Sequence, residues 1–224
     1  MSAILDLIKD QGYKLDRFAV LKYDQSRPDV FPLPYLTKLY ELTAQSGRHS
    51  PLGSLPDLFC GLSDLSHDWI TAYLSTKNPL LILGEWVTPN EFTPWGYAFI
   101  TTSIGHASAP KEKGIIAGYG FFSPFWGRPE LELLSVLGLA YFFREFGLLA
   151  IHGSRYATND RTARLMSRVG FHDDGLIPRW MLDQGKLVGM IPSTLLVEDF
   201  ERVAEKFLND WVEHNLREKE PHRT

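Results

Sequence analysis

Residues 131–146 form a dense apolar run, interrupted only by Glu132, Ser135, Gly138, Arg144 and Glu145. The run is longer than a strand, and too short and too charged at its ends to span a bilayer. It predicts a buried helix. Pro129 suits the helix start, where its missing N–H would find no partner anyway, and Gly147 suits a left-handed stop. Residues 148–151 then read as a buried strand. Asn159 or Asp160 can cap a second helix whose apolar positions Leu165, Met166 and Val169 share one face. Residues 125–171 therefore read as turn, helix, strand, helix.

The flanking chain is patterned less densely. Residues 2–10 suit a short amphipathic helix with Ser2 as cap and Ile4, Leu5 and Ile8 on one side, for packing or a dimer contact. Residues 17–23 read as a strand using Phe18 and Val20 for burial, followed by a turn at Pro28, Pro32 and Pro34. Residues 35–45 have helical spacing. Residues 46–63 are rich in Gly, Ser and Pro, a loop length that points to function or disorder. Ser66 can cap a helix carrying Trp69, Ile70, Tyr73 and Leu74. Strands over 80–87, 95–104 and 114–122 form an antiparallel meander with a turn around Pro89 and Pro94. A last hairpin joins 178–182 to 186–197 through Asp183, Gln184 and Gly185. Residues 198–217 predict an amphipathic helix with a stripe of Phe200, Val203, Phe207 and Trp211, and favourable Glu198–Arg202 and Glu213–Arg217 pairs. The predicted organisation is an N-terminal extension (1–16), an α/β domain (17–197), and a C-terminal helix and tail (198–224). The last helix either docks on the domain or serves a homodimer or protein partner, with Phe207 and Trp211 as anchor.

Composition adds exclusions. The 224 residues are 44% hydrophobic with a net charge of -4, which argues against nucleic acid or an anionic membrane as partner. Cys60 is the single cysteine, so no internal disulfide forms, and its apolar neighbours make it a packing residue. The start of the chain carries Asp6 and no basic lead-in to an apolar segment, unlike a secretory signal. A cytoplasmic protein is expected.

Trp126-Gly127-Arg128, Phe143 with Gly147-Leu148, then Asn159, Thr162, Arg164 and Gly170-Phe171 carry a resemblance. They fit without a gap the turn, helix, strand and helix of the GNAT acyltransferases. The pattern is most similar to the branch typified by ribosomal-protein alanine acetyltransferases. The resemblance covers roughly residues 80–197. It implies an α/β fold with a mixed, mostly antiparallel six- to seven-stranded sheet flanked by helices. It also implies N-acetyl transfer from acetyl-CoA to an amine of a protein N-terminus or a small molecule, and makes the 46–63 loop a candidate substrate lid. Cofactor contacts would fall to Trp126, Gly127, Arg128, Asn159 and Arg164. The backbone of Phe121 and Ser123 would pair with pantetheine where two strands splay.

Amide formation from a thioester needs a neutral amine, an oxyanion stabiliser and an acid for the departing thiolate. Met166 stands where many relatives place an acidic tyrosine, and it has no proton to give. Thr162, matching the serine of the alanine branch, is the candidate acid; the alternative is a bond within its own helix turn. Asn159 orients pantetheine or simply caps the helix. Glu85 is the candidate base, ahead of Glu91, Tyr97, His106, Tyr119 and His152. Asp173-Asp174 reads as a solvated turn. No metal-ligand spacing, nucleophile elbow or phosphate loop is present.

The pyrophosphate turn departs from the family pattern. Pro129 replaces a glycine, removing an amide donor, and Leu131 adds bulk. Glu130 and Glu132 stabilise the helix start by about 0.3–1 kcal/mol each and repel a phosphate. Arg128 is the nearby compensation. The alternative function is therefore a catalytically inactive binding or structural protein on the same fold, without acetyl-CoA.

Overall fold

The computed structural model describes residues 3–22, 80–101, 113–121, 123–183 and 186–215. The helices predicted over 35–45 and after Ser66, the 46–63 loop, Cys60, His106 and the 184–185 turn lie outside them. Helix α1 (Ala3–Asp10) leads into strands β1 (Lys14–Leu15) and β2 (Phe18–Lys22). Then come β3 (Leu80–Thr88), β4 (Glu91–Thr101), β5 (Lys113–Phe121), a 3-10 turn (Ser123–Phe125) and α2 (Glu130–Phe146). Strand β6 (Ala150–Tyr156) and α3 (Asp160–Arg168) follow, then β7 (His172–Asp173), β8 (Ile177–Asp183), β9 (Lys186–Leu196) and α4 (Val197–Asn215).

One mixed sheet runs in the order β1-β2-β3-β4-β5-β6-β9-β7, with β8 paired to β9. Among the described residues it has nine strands, of which β1 and β7 are only two residues long, too short for a hydrophobic pattern to show. All pairs are antiparallel except β5 with β6.

Three local readings change. Pro94 lies inside β4 opposite Gly84, not in a turn; the hairpin turns at Pro89 and Asn90, with Thr88 facing Glu91. Leu83 faces Gly96 while Gly84 faces Pro94, so Trp95 is the extra residue of a bulge. A residue without an N–H is tolerated at such a break in the ladder, and a Cβ on Gly84 would collide with the Thr93 carbonyl oxygen. Strand β6 starts later and runs further than predicted, which puts His152 within the strand rather than at its end. Asp173 belongs to β7 and pairs with Ser193, so the acidic pair is not a free turn.

Helix α2 forms as its pattern demands. Leu133, Leu134, Val136, Leu137, Ala140 and Phe142 are buried, and Gly147 ends the helix at φ 61. Gly138 lets the helix approach the sheet: a Cβ there would lie 3.2 Å from Leu83 Cδ2. The terminal helices share this core. Leu5 and Ile8 of α1 and Phe200, Ala204 and Leu208 of α4 belong to the same buried cluster as α2. Phe200 stacks on Phe143 at 5.0 Å, and Trp211 meets the edge of Phe18 at 6.2 Å. Arg144 of α2 lies 3.6 Å from Asp6 and 3.1 Å from Glu201, joining the three helices. Arg202 pairs with Asp199 at 2.7 Å, one residue closer than the Glu198 partner its spacing suggested. No described helix is long and apolar enough to cross a membrane.

Replacing Phe200 by Ala should remove about 3–5 kcal/mol of stability, read as a lowered urea midpoint. A loss under about 1 kcal/mol, the scale of a surface change, would mean that α4 is not part of the core.

Candidate active site

Strands β5 and β6 pair at only three positions, Lys113–Ala150, Gly114–Ile151 and Ile115–His152. Beyond them β5 continues to Phe121 and β6 to Tyr156 with no pairing between the two. The cause is local. Phe99 of β4 faces Gly118 while Ile100 faces Ile116, leaving Ala117 as the extra residue of a bulge in β5. A bulge bends its strand and increases its twist, here one position past Ile116, where β5 parts from β6. Strand β6 stays in the sheet because its other edge pairs with β9 from Ala150–Leu196 to Tyr156–Met190. The result is a wedge-shaped gap. Its β5 side, residues 116–121, is roughly 17 Å long at a strand's rise per residue.

The chain leaving β5 builds the mouth of this gap. The Trp126 indole N–H donates to the Phe121 carbonyl oxygen at 2.7 Å. Phe125 stacks on Trp95 with ring centres 4.5 Å apart. The Arg128 guanidinium lies 5.1 Å above Trp95 and 5.7 Å from the Phe125 ring. Arg161, in the first turn of α3, lies 5.0 Å above Trp126. Gly127 takes φ 84, a conformation for which a side chain would be strained. Arg128 thus lies over Phe125 and the buried Trp95, and Arg161 over Trp126, at the turn between β5 and α2.

The backbone donors of the turn are largely used. The amides of Arg128, Leu131 and Glu132 donate to the carbonyls of Phe125 (3.3 Å), Arg128 (3.2 Å) and Pro129 (3.1 Å). Pro129, the cap residue, has no donor and makes no side-chain cap bond. The two glutamates differ. Glu132 pairs with Arg168 of α3 at 3.3 Å, so its charge is matched, while one buried carboxylate oxygen of Glu130 has no hydrogen-bond partner.

On α3, the Asn159 side chain accepts the Thr162 amide at 3.1 Å and caps the helix. Thr162 is half-buried beside it, and Arg164 is exposed. Ser123 begins the 3-10 turn. Phe121, Trp126, Gly127, Arg128, Asn159 and Thr162 are therefore gathered near the mouth, through the contact of Arg161 with Trp126. Glu85 is not among them. It accepts from Arg17 Nε at 2.9 Å and from the Trp95 indole at 3.2 Å, and β4 and β5 stand between its strand and β6. The arginine and the indole engage both of its carboxylate oxygens. Burial pushes the hydroxyls of Tyr97 and Tyr119 well above the ordinary tyrosine range, which keeps them protonated. Tyr119 instead bonds Ser135, whose hydroxyl donates to the Leu131 carbonyl at 2.6 Å, tying β5 to α2.

Three features were not anticipated from sequence. Arg161 joins the mouth. Arg155 pairs with Asp173 at 2.7 Å, and Ser193 donates to the same carboxylate. His152, Thr194 and Asp174 form a hydrogen-bonded chain. Only Arg161 had a signal, its place between Asn159 and Thr162; the others join residues remote in sequence.

No family model matches the sequence, and no curated protein matches it. Solved structures do. A GNAT-family acetyltransferase from Bacillus anthracis superposes with a TM-score of 0.53 at 16% identity, over 83% of this chain and 98% of that one. A spermidine N-acetyltransferase from Vibrio cholerae, in complex with CoA and spermine, gives 0.56 at 11% identity, over 82% and 98%. A ribosomal-protein-S5-alanine acetyltransferase from Vibrio fischeri gives 0.56 at 13% identity, over 84% and 97%. These likenesses establish the fold as that of the GNAT acetyltransferases.

Removing the cap with Asn159→Ala should cost about 1 kcal/mol in chemical denaturation, and Asn159→Asp should retain most of it. Equal stability of the Ala variant would free Asn159 from its structural role.

Proposed function

We propose that the chain is an acyl-CoA-dependent N-acyltransferase, in the simplest case an N-acetyltransferase, acting on an amine of a protein N-terminus or a small molecule. The observation that carries this reading is the gap between β5 and β6. Its free backbone edge runs from the Ile115–His152 pair to the amino end of α2, a length suited to an extended pantetheine arm. Phosphates at the mouth would meet Arg128 and Arg161 and the remaining amides of the turn, and Arg164 adds an exposed cation on the same helix as Arg161. The solved structures of similar fold include acetyltransferases whose names give spermidine or a ribosomal-protein alanine, which supports an amine acceptor here. A cytoplasmic setting accords with the lone Cys60.

The chemistry asks little covalent work of the protein. The amine nitrogen bonds to the thioester carbonyl carbon, the carbon–sulfur bond breaks, and the sulfur leaves needing a proton. Thr162 is the proposed donor of that proton, regaining one from the solvent side. Glu85 enters only as the anion that holds Arg17 and Trp95 behind the turn.

A second reading has its own observation: the turn amides of Arg128, Leu131 and Glu132 are bonded internally and Pro129 has none. This favours a protein on the same fold that no longer takes acetyl-CoA. Calorimetry separates the two. The transferase reading expects acetyl-CoA binding tighter than about 0.1 mM, on the order of 5 kcal/mol, and absence of binding would establish the second. The double variant Pro129→Gly with Glu130→Gln should bind several-fold tighter; unchanged affinity would clear the turn of blame. Thr162→Val should lower kcat for acetyl transfer to spermidine or an alanine-initiated peptide by roughly 100-fold with Thr162→Ser near the parent, and equal rates would move the acid elsewhere.

A further inference from the structure

His152 occupies the last position at which β5 and β6 still pair, the closed end of the gap. Its Nδ1 lies 3.0 Å from Thr194 Oγ1, and the Thr194 hydroxyl donates to Asp174 Oδ2 at 2.7 Å. A hydroxyl has one hydrogen. Once it is given to the carboxylate, Thr194 can only accept from His152, so the proton of the neutral imidazole sits on Nδ1. The lone pair is then on Nε2, the ring nitrogen that does not face Thr194.

The pleat decides which side of the sheet this lone pair serves. Ile151 and Leu195 face the core shared with α2, and a Cβ on Gly153 would meet Met166 and Phe171 at 3.5 and 3.7 Å. Side chains alternate along a strand, so His152 and its cross-strand neighbour Thr194 point to the opposite face. The cations Arg128 and Arg161 belong to the turn and helix on the α2–α3 side. A thioester threaded from that side brings its carbonyl to the apex, and an amine must then approach from the side of His152.

Resting on the transferase reading, we propose that His152 is the general base, with Thr194 and Asp174 as positioning residues that fix its tautomer. As the nitrogen–carbon bond forms and the carbon–sulfur bond breaks, the amine proton passes to Nε2. The imidazolium so formed is balanced through Thr194 by Asp174, and the proton later returns to solvent. The Arg155–Asp173–Ser193 group lies on the other face.

The test uses the full chain labelled with 15N-histidine, the His152 resonances being assigned with His152→Gln. The parent should show a protonated Nδ1 and a bare Nε2, and saturating acetyl-CoA should shift Nε2. Thr194→Val should lose the tautomer preference and Thr194→Ser should restore it. With spermidine and an alanine-initiated peptide as acceptors, His152→Gln should lower kcat roughly 100-fold with acetyl-CoA affinity unchanged. Thr194→Val should lower kcat less, with rescue by Ser. A protonated Nε2 in the parent, resonances unmoved by saturating acetyl-CoA, or parental kcat in His152→Gln would overturn this assignment alone. A chain that binds no acetyl-CoA would overturn the transferase reading and the base together.

Discussion

The parting of β5 from β6 is the constraint on which the rest of the site depends. A strand edge in the middle of a sheet leaves backbone N–H and C=O groups that must find partners. Along residues 116–121 the neighbouring strand supplies none of them. Both strands are nevertheless held, β5 by β4 on its far side and β6 by β9. The Tyr119–Ser135–Leu131 chain fastens β5 to α2 from behind. The gap is thus a consequence of how its walls are pinned, with the bulge at Ala117 setting where it begins. Trp126 already serves one of the exposed carbonyls, that of Phe121, so the edge is partly satisfied by the protein itself at the mouth and open further in.

At the mouth, two opposing electrostatic effects meet. The missing donor at Pro129 and the Glu130 charge each weaken anion binding by an amount on the scale of a helix-end interaction, about 0.3–1 kcal/mol. A guanidinium bonded to a phosphate contributes about 1.5–3 kcal/mol, and Arg128 and Arg161 both stand there. Each is stacked over an aromatic ring, a contact worth about 0.5–1 kcal/mol when exposed. Glu132, the second acidic residue, is removed from the balance by Arg168.

Local and periodic features were legible in the sequence. The helix over Glu130–Phe146, its left-handed stop at Gly147 and the Asn159 cap depend on residues a few positions apart, and all stand where the pattern puts them. What failed depends on partners. Pro94 reads as a turn until the facing strand and its bulge are known. Strand β6 looks finished at Ile151 because the polar His152, Ser154 and Arg155 hide its continuation. They are polar because His152 bonds Thr194, Arg155 bonds Asp173 and Ser154 faces out. The pairing of Glu85 with Arg17 joins residues with no sequence pattern in common. The amphipathic stripe of α4 was visible, whereas its seat against Phe143 and Phe18 was not.

The meeting of α1 with α4 bears on how this chain comes to be folded. Leu5 and Ile8 are buried in a cluster that also contains Phe200, Ala204 and Leu208, far along the sequence. A growing chain therefore holds α1 against α2 without this part of its cover until α4 has been made. Contacts so distant along the chain are closed late and slowly, and exposed hydrophobic surface invites aggregation in the meantime. Synthesis of nearly two hundred further residues separates the making of α1 from its contact with α4.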